Sequence, residues 1–423
     1  MRQIAQILRS EYPHFTDVLV NWTQDFQHAS VLNSNAYEDT YGVYSLLAGL
    51  GSKRVLKSND ISELRSFYNQ EQTWLFGHLG YDLKNKLERL TSQHPSNFEF
   101  GDFCFFEPEI VVVQKRGQDE VTFFGENEDL IALFIEKLKQ FKLTKTTLPK
   151  LEARMQKEEY LTAIQSLKNE IQWGNIYEIN YCQEFYANQV ELDATSTYSM
   201  LNQKSAMPFS AFYKLQNDFL MCASPERFFT KRGDKVYSQP IKGTIKRGYS
   251  IQEDEALKNE LRSDLKEQSE NVMIVDLVRN DLSRTASRGS VKVDELFGVY
   301  QFPQVHQLIS TVSSTLSKNF DIFDLIATTF PMGSMTGAPK ISAMQLADQY
   351  EKSRRELYSG SVGYISPEGD ADFNVIIRSL MYSATNKYLS LTVGGAITDL
   401  AEPEKEYEEC LLKAKAIFEL GEK

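Results

Sequence analysis

Aromatic and β-branched residues gather in short runs within the first 125 positions, where the pattern indicates a mixture of strands and helices. One such run covers residues 102–106, and a longer one covers residues 109–125. Gly117 lies between two strand-like arms of the longer run, at a position suited to a tight turn. The pattern therefore predicts a strand followed by a β-hairpin.

The second half of the chain shows two groups of strand-like segments separated by helical ones. Residues 209–246 contain several short strands with short turns, which predicts an antiparallel meander. Residues 252–282 have the spacing of one long helix, and a second group of strands follows at 360–398. A closing helix is expected to begin at Pro403, because proline suits a first helical turn.

Strands that cluster apart from helices predict an α+β fold with antiparallel sheets and argue against a doubly wound parallel sheet. Residues 126–170 are rich in Lys and Glu at helical spacing, and residues 143–150 are the predicted linker. We therefore expect an N-terminal lobe at 1–150 and a second lobe at 151–423.

Charge narrows the choice of partners. The 423 residues include 46 Lys and Arg against 58 Asp and Glu, a formal net charge of −12. This balance argues against a nucleic-acid partner, whose phosphates need a basic face. An acidic protein that binds an anionic substrate must neutralise it locally, with a cation or a few placed Arg and Lys residues.

The cysteines and the N-terminus indicate the compartment. Cys104, Cys182, Cys222 and Cys410 lie far apart without metal-binding spacing, so buried, reduced thiols are expected. The first fifteen residues lack the apolar stretch of a signal peptide, and no run reaches the ~18 apolar residues of a membrane span. We expect a cytoplasmic protein without membrane partners.

Two pairs of glutamates are candidates for a metal site. Glu267 and Glu270 lie three apart in a predicted helix, and Glu406 and Glu409 lie three apart in the last helix. This spacing puts each pair on one helix face, where like charges repel each other. The pairs are either solvated helix faces, with Glu409 and Lys413 as an ordinary ion pair, or a hard-oxygen Mg2+ site between two helices.

Two further segments carry candidate chemistry. Glu226 and Lys242 lie sixteen residues apart in a strand-rich segment and could act as a general acid and an amine nucleophile. The lysine would then need a lowered pKa and the glutamate a raised one, whereas a lysine in a strand is more often solvated. The glycine-rich turn at 330–346 leads into a helix and is either an anion site or an ordinary cap.

Seven segments then carry a resemblance. In order along the chain they are SPERF (224–228), PIKGT (240–244), ENVMIVDLVRNDLSR (270–284), GSMTGAPK (333–340), YSGSVGY (358–364), IIRSL (376–380) and EYEECLLKAK (406–415). They resemble the motifs of the chorismate-utilising enzymes. The likeness is dense over residues 155–418 and looser before them.

The resemblance implies two large antiparallel sheets with flanking helices, similar to anthranilate synthase component I, and an active site in the cleft between the sheets. It implies Mg2+ as the cofactor, with Glu270 and Glu409 as direct ligands and Glu267 and Glu406 as supporting carboxylates. The metal would offset the charge of the substrate's ring carboxylate.

The resemblance also implies the substrate contacts. Among these, Lys413 matches a contact to the ring carboxylate, Arg378 and Tyr358 match contacts to the enolpyruvyl carboxylate, and the glycines present backbone amides. The complete set of expected contacts is Arg378, Tyr358, Lys413, Gly243, Thr244, Ser334, Gly394 and Gly395.

Two positions discriminate among members of the family. Lys242 stands where anthranilate synthases and water-adding members carry Ala, and Glu178 stands where water-adding members carry Lys. These residues favour the members that add ammonia to chorismate through a covalent lysine adduct, with Glu226 as the general acid. Such members often have Gln at the Glu178 position.

The chain ends at Lys423 without a fused glutaminase, so ammonia from a separate class I glutamine amidotransferase subunit is expected. The alternatives are anthranilate synthase component I and a non-catalytic chorismate-binding subunit of an amidotransferase complex. The chain departs from the family at Gln307 and Ala396, and the neighbouring His306 is expected to be structural.

Overall fold

The computed structural model of the chain describes residues 1–35, 37–139, 146–302 and 305–421. The strands, in chain order, are β1 Arg2–Leu8, β2 His28–Asn33, β3 Tyr44–Leu50, β4 Arg54–Ser58, β5 Leu75–Leu79, β6 Phe103–Glu107, β7 Ile110–Lys115, β8 Glu120–Gly125, β9 Glu152–Ala153, β10 Glu178–Ala187, β11 Phe209–Leu215, β12 Asp218–Ser224, β13 Arg227–Arg232, β14 Lys235–Gln239, β15 Ile241–Lys246, β16 Lys292–Gln301, β17 Val305–Thr315, β18 Gly337–Ala338, β19 Ser361–Ile365, β20 Ala371–Asn374, β21 Ser379–Ser383 and β22 Tyr388–Ile397.

The α-helices are α1 Phe15–Trp22, α2 Ile61–Glu71, α3 Lys84–Leu87, α4 Glu128–Leu138, α5 Lys157–Gln172, α6 Ala194–Lys204, α7 Ile251–Ser263, α8 Leu265–Ser283, α9 Ile322–Thr329, α10 Lys340–Tyr350 and α11 Pro403–Phe418. Single turns of 3-10 helix lie at Arg9–Glu11, Thr23–Asp25, Tyr81–Leu83 and Gly333–Met335.

The strands form two large sheets in which every described pairing is antiparallel, which confirms the predicted α+β class. The first sheet has the order β1-β8-β7-β3-β2-β11-β12-β21-β22-β10-β18, with β9 beside β10. The second has the order β15-β17-β14-β13-β20-β19-β5-β6-β4, with β16 beside β17.

Two apolar cores hold the sheets in place. One core lies between the two sheets and includes Leu47 and Tyr213 of the first sheet and Phe76 and Phe229 of the second. The other core covers the opposite face of the first sheet, where helices such as α1, α5 and α11 pack. Helices α7 and α8 pack against the second sheet, so each of the two sheets has helices beside it.

The two predicted groups of strands exist, but the single meander expected at 209–246 is wrong. β11 and β12 belong to the first sheet, whereas β13, β14 and β15 belong to the second. The crossing falls at Pro225, which has no N–H to donate to a strand partner. The later group divides in the same way, with β19 and β20 in the second sheet and β21 and β22 in the first.

The long helix expected at 252–282 is two helices, α7 and α8, separated at Asp264. The Asp264 side chain accepts hydrogen bonds from the backbone N–H groups of Lys266 and Glu267. An aspartate in this role begins a new helix because it satisfies amides that have no partner within the helix. Helical spacing alone did not reveal this break.

Other local predictions are confirmed. β7 and β8 form the expected hairpin around Gly117, whose φ of 73° lies in the left-handed region that favours glycine. The closing helix begins at Pro403, and all four cysteines are buried thiols. Within the described ranges, no helix is both long and apolar enough to cross a membrane.

The division of the chain at residue 150 stays a prediction, and each sheet contains strands from both sides of that position. Part of the predicted linker, residues 143–145, lies outside the described residues.

Candidate active site

One cavity of about 750 Å³ opens where the two sheets meet. Its walls include β22 of the first sheet, β15 and β17 of the second, and helices α8 and α11. The structure brings every residue proposed for the site into its lining: Glu226, Lys242, Gly243, Thr244, Glu267, Glu270, Ser334, Tyr358, Arg378, Gly394, Gly395, Glu406, Glu409 and Lys413. Their individual roles stay predictions.

The two crossings between the sheets position two of these side chains. Glu226 lies between β12 and β13, and Arg378 lies between β20 and β21. The crossings run side by side, since the Val375 N–H donates to the Glu226 carbonyl at 3.0 Å and the Ala223 N–H donates to the Arg378 carbonyl at 3.3 Å. A carboxyl and a guanidinium group therefore enter the cavity from adjacent segments.

Glu226 has the environment of a carboxylic acid that keeps its proton near neutral pH. It is 4% exposed, and burial raises its pKa to about 7. A hydrogen bond from the Ser334 side chain and the charge of Lys242 lower the pKa but do not offset the burial. Desolvation lowers the pKa of Arg378 to about 10, so this guanidinium remains charged at neutral pH.

Lys242 is buried, and its Nζ lies 2.5 Å from Oε1 of Glu178. Burial lowers the pKa of Lys242, but the carboxylates of Glu178 and Glu270 outweigh burial and leave the pKa above its ordinary value. This direction is opposite to the lowering that a nucleophilic role of Lys242 requires. Glu178 belongs to β10 of the first sheet, so its contact with β15 of the second is invisible in the sequence.

The four glutamates come together from two helices. Glu267 and Glu270 lie on α8, and Glu406 and Glu409 lie on α11. Lys266 Nζ is 3.8 Å from a carboxylate oxygen of Glu270 and 3.8 Å from one of Glu406. A single ammonium group thus lies within reach of carboxylates from both helices.

The carboxylates differ in their electrostatic environments. Burial raises the pKa of Glu270 to about 7, and burial also raises the pKa values of Glu267 and Glu406. Glu409 is different because the Lys413 ammonium, 2.8 Å away, holds the pKa of Glu409 below its ordinary value. The i,i+4 ion pair of Glu409 and Lys413, one of the two alternatives for these residues, is present, and both of its members line the cavity.

The donor set suits a hard divalent cation. Oε1 of Glu270 is buried and has no hydrogen-bond partner among the described residues. Carboxylate oxygens are the ligands that Mg2+ prefers, and a cation would offset the repulsion among these groups. In the ranges that the structure describes, no three His, Cys, Asp or Glu side chains are already arranged as a metal-binding group.

Two glycines allow the backbone to approach the site. Gly243 has a φ of 90°, and a Cβ at this position would lie 2.9 Å from Oε2 of Glu267. A Cβ at Gly394 would lie 2.6 Å from Sγ of Cys182. Lys413 donates a hydrogen bond to the Gly394 carbonyl at 2.9 Å, which ties α11 to β22.

Other motifs resolve into local roles. His306 is buried and its Nε2 lies 2.8 Å from Oδ1 of Asp254, consistent with a structural residue. Gln307 lines the cavity and donates to the Thr244 hydroxyl at 3.4 Å. The glycine-rich turn faces the cavity through Ser334, whereas no described residue of α10 lines it.

Sequence reasoning missed Lys266 and Asn180, which also line the cavity. Lys266 adjoins Glu267, and this neighbouring charge was the available signal. Asn180 follows Glu178 by two positions, so both side chains share one face of β10.

The combination of two antiparallel sheets, a buried acid, a buried lysine and paired glutamates is that of an enzyme active site. Residues 27–419 match the model of the chorismate binding enzyme family. The chain belongs to that family.

Sequence relatives and a solved structure agree with this assignment. Aminodeoxychorismate synthase component 1 of Klebsiella aerogenes is 34% identical over 344 residues, which cover 81% of this chain and 76% of the relative. The protein of the same name from Escherichia coli (strain K12) is 33% identical, with 86% and 81% covered. Anthranilate synthase component I from Streptococcus pneumoniae TIGR4 shares the fold, with a TM-score of 0.76, 24% identity and 92% of each chain covered.

Proposed function

We propose that this chain is an aminodeoxychorismate synthase component I, which converts chorismate and ammonia to 4-amino-4-deoxychorismate for p-aminobenzoate and folate synthesis. The observation that carries the proposal is a buried lysine, Lys242, in the same cavity as a buried acid, Glu226. The names of the Klebsiella and Escherichia relatives support the choice within the family.

The proposed reaction proceeds by two allylic displacements. The Lys242 amine attacks C2 of chorismate, the two ring double bonds shift, and the C4–O bond breaks. Glu226 gives its proton to the departing hydroxyl, which leaves as water. Ammonia then adds at C4, the double bonds shift back, and the bond between C2 and Lys242 breaks. Covalent catalysis replaces one difficult displacement with two easier ones.

The remaining residues bind the two carboxylates of the substrate. Arg378 and Tyr358 contact the enolpyruvyl carboxylate, with arginine suited to a bidentate contact. Lys413 contacts the ring carboxylate. Backbone amides near Gly394 and Gly395 and the segment around Gly243, Thr244 and Ser334 complete the substrate contacts.

Glu270 and Glu409 hold Mg2+ in this proposal, with Glu267 and Glu406 as supporting carboxylates. Enzymes of this family generally depend on Mg2+. When bound, the metal neutralises the negative charge of the ring carboxylate. The unpartnered Glu270 oxygen and the position of Lys266 between the two helices support this assignment.

A separate class I glutamine amidotransferase subunit supplies ammonia. The words "component 1" in the names of the relatives imply a second component. Ammonia at neutral pH is mostly the unreactive ammonium ion, so a partner that releases ammonia next to the cavity favours the second displacement.

The test is incubation with chorismate, MgCl2 and an ammonium salt, followed by product identification by mass spectrometry and NMR. The expected product carries an amine para to the ring carboxylate. An ortho amine identifies an anthranilate synthase, and isochorismate or salicylate as the main product identifies water as the nucleophile. Tight chorismate binding without turnover identifies a non-catalytic subunit.

A further inference from the structure

Lys242 lines the cavity and pairs with Glu178, a buried residue that is not part of the lining. Lys242 is 9% exposed and Glu178 is 1% exposed, and their Nζ and Oε1 atoms are 2.5 Å apart. The second Glu178 oxygen is buried and has no hydrogen-bond partner among the described residues. The hydrogen bond that the Glu178 carboxylate accepts in the described structure therefore comes from the Lys242 amine.

We propose that Glu178 is the proton acceptor that converts the Lys242 ammonium group into the free amine. The inference rests on the proposed role of Lys242 as nucleophile and adds the residue that makes this role possible at neutral pH. Glu178 acts on the reacting atom itself, which makes it a catalytic residue in the proposed reaction.

The proton transfer closes a balanced cycle. One Nζ–H bond of Lys242 breaks and its proton goes to Oε1 of Glu178, and the freed electron pair forms the bond to C2. The adduct nitrogen then carries two protons and a positive charge. When ammonia displaces it, Lys242 leaves as a neutral amine and takes its proton back from Glu178. The product ammonium group returns one proton to Glu226, and the net change is chorismate plus ammonia to amine plus water.

The surroundings explain why a local acceptor is needed. Glu270 on α8, a proposed Mg2+ ligand, favours the ammonium form of Lys242 only while it holds no metal, and Lys413 on α11 opposes that form more weakly. The ion pair with Glu178 is therefore what keeps the proton on Lys242, and solvent at neutral pH would release little free amine. Transfer within the pair removes two buried charges together, so it avoids leaving one charge buried and unpaired.

The test is the Glu178→Gln variant, which keeps the size of the side chain and an acceptor oxygen but cannot take the proton. Chorismate is mixed with enzyme and Mg2+ without ammonia, and the Lys242 adduct is followed by quenched-flow intact mass. At pH 7 we expect the maximal adduct rate to fall about 10²-fold, as for the loss of a general base. The half-saturating chorismate concentration should change less than about twofold.

The pH dependence separates a proton acceptor from a structural residue. In Glu178→Gln the ammonium group must lose its proton to solvent, so the ratio of variant to wild-type rate should rise about tenfold per pH unit below the pKa of Lys242 in the variant, which lacks the charge of Glu178 that raised this pKa. Titration of Glu226 affects both proteins alike and cancels in this ratio. Glu178→Asp keeps a carboxylate and should restore the wild-type pH profile at a lower rate.

Glu184→Gln is the matched control. Glu184 is a buried glutamate on the same strand, bonded to the Tyr388 and Ser390 hydroxyls, and it does not line the cavity. This control should form the adduct at the wild-type rate. Thermal melting shows whether each variant is folded. If Glu178→Gln does not fold, the pH profile of Glu178→Asp decides the test.

Two results would overturn the proposal. If Glu178→Gln forms the adduct as fast as wild type, with a constant ratio across pH, Glu178 only holds the lysine in place. That result leaves the proposed function intact. If wild type never forms the adduct although it makes the amine product, the covalent route fails and this inference fails with it.

Discussion

Glu226→Gln should inactivate the enzyme and stabilise the fold at the same time. Burial raises the pKa of Glu226 from about 4.5 to about 7, which corresponds to ~3 kcal/mol at 1.36 kcal/mol for each pH unit. Because the pKa of Glu226 is raised in the folded state, the stability that this residue contributes is fully present below about pH 4.5 and is lost as pH rises through about 7. A glutamine at this position does not ionise, so the variant does not lose this stability at high pH.

The expected thermal shift follows from the size of the chain. Unfolding entropy of ~2.1 cal/mol/K per residue over 423 residues converts ~3 kcal/mol into a rise of ~3 °C in Tm. The rise should appear at pH 8 and largely disappear at pH 5, where the buried carboxyl is already protonated. Differential scanning calorimetry at both pH values measures it.

Activity should move in the opposite direction. The general acid must carry its proton, so kcat/KM of wild type should fall as pH rises above about 7. Glu226→Gln should reduce turnover of chorismate at least ~10²-fold at pH 7. The reasoning is refuted if the variant is less stable than wild type at pH 8, or if it keeps its activity.

Three further predictions concern the cation, the nucleophile and the partner. Glu270→Gln or Glu409→Gln should reduce chorismate turnover at least ~10²-fold, because each removes a proposed Mg2+ ligand. The circular dichroism spectrum should stay unchanged. Full wild-type turnover in excess EDTA would contradict the Mg2+ assignment. Lys242→Ala should abolish the adduct seen in intact mass without ammonia and leave some direct ammonia attack, and full activity in a protein that never shows an adduct would refute the covalent route. The organism's class I amidotransferase should make glutamine a usable nitrogen donor in a coupled assay, and failure to bind or to confer glutamine dependence would contradict the two-component proposal.

The local elements and the identities of the candidate site residues could be predicted from the amino-acid sequence. The turn at Gly117 and the helix start at Pro403 depend only on the local backbone. The hairpin and the closing helix could therefore be predicted. Seven collinear motifs contain the candidate acid, the lysine and three of the four paired glutamates, all of which line one cavity. Candidate site residues that are defined by residue type and by order along the chain can be predicted without knowledge of the fold.

The way in which these elements combine could not be predicted and is visible only in the folded chain. Periodicity describes a strand but not its partner, so the division of 209–246 between two sheets at Pro225 could not be predicted. The pair of Lys242 and Glu178 joins residues 64 positions apart from different sheets. The direction of the Lys242 pKa shift in this structure could not be predicted, because a pKa depends on the charges and burial around a group in space, and the sequence does not give those distances.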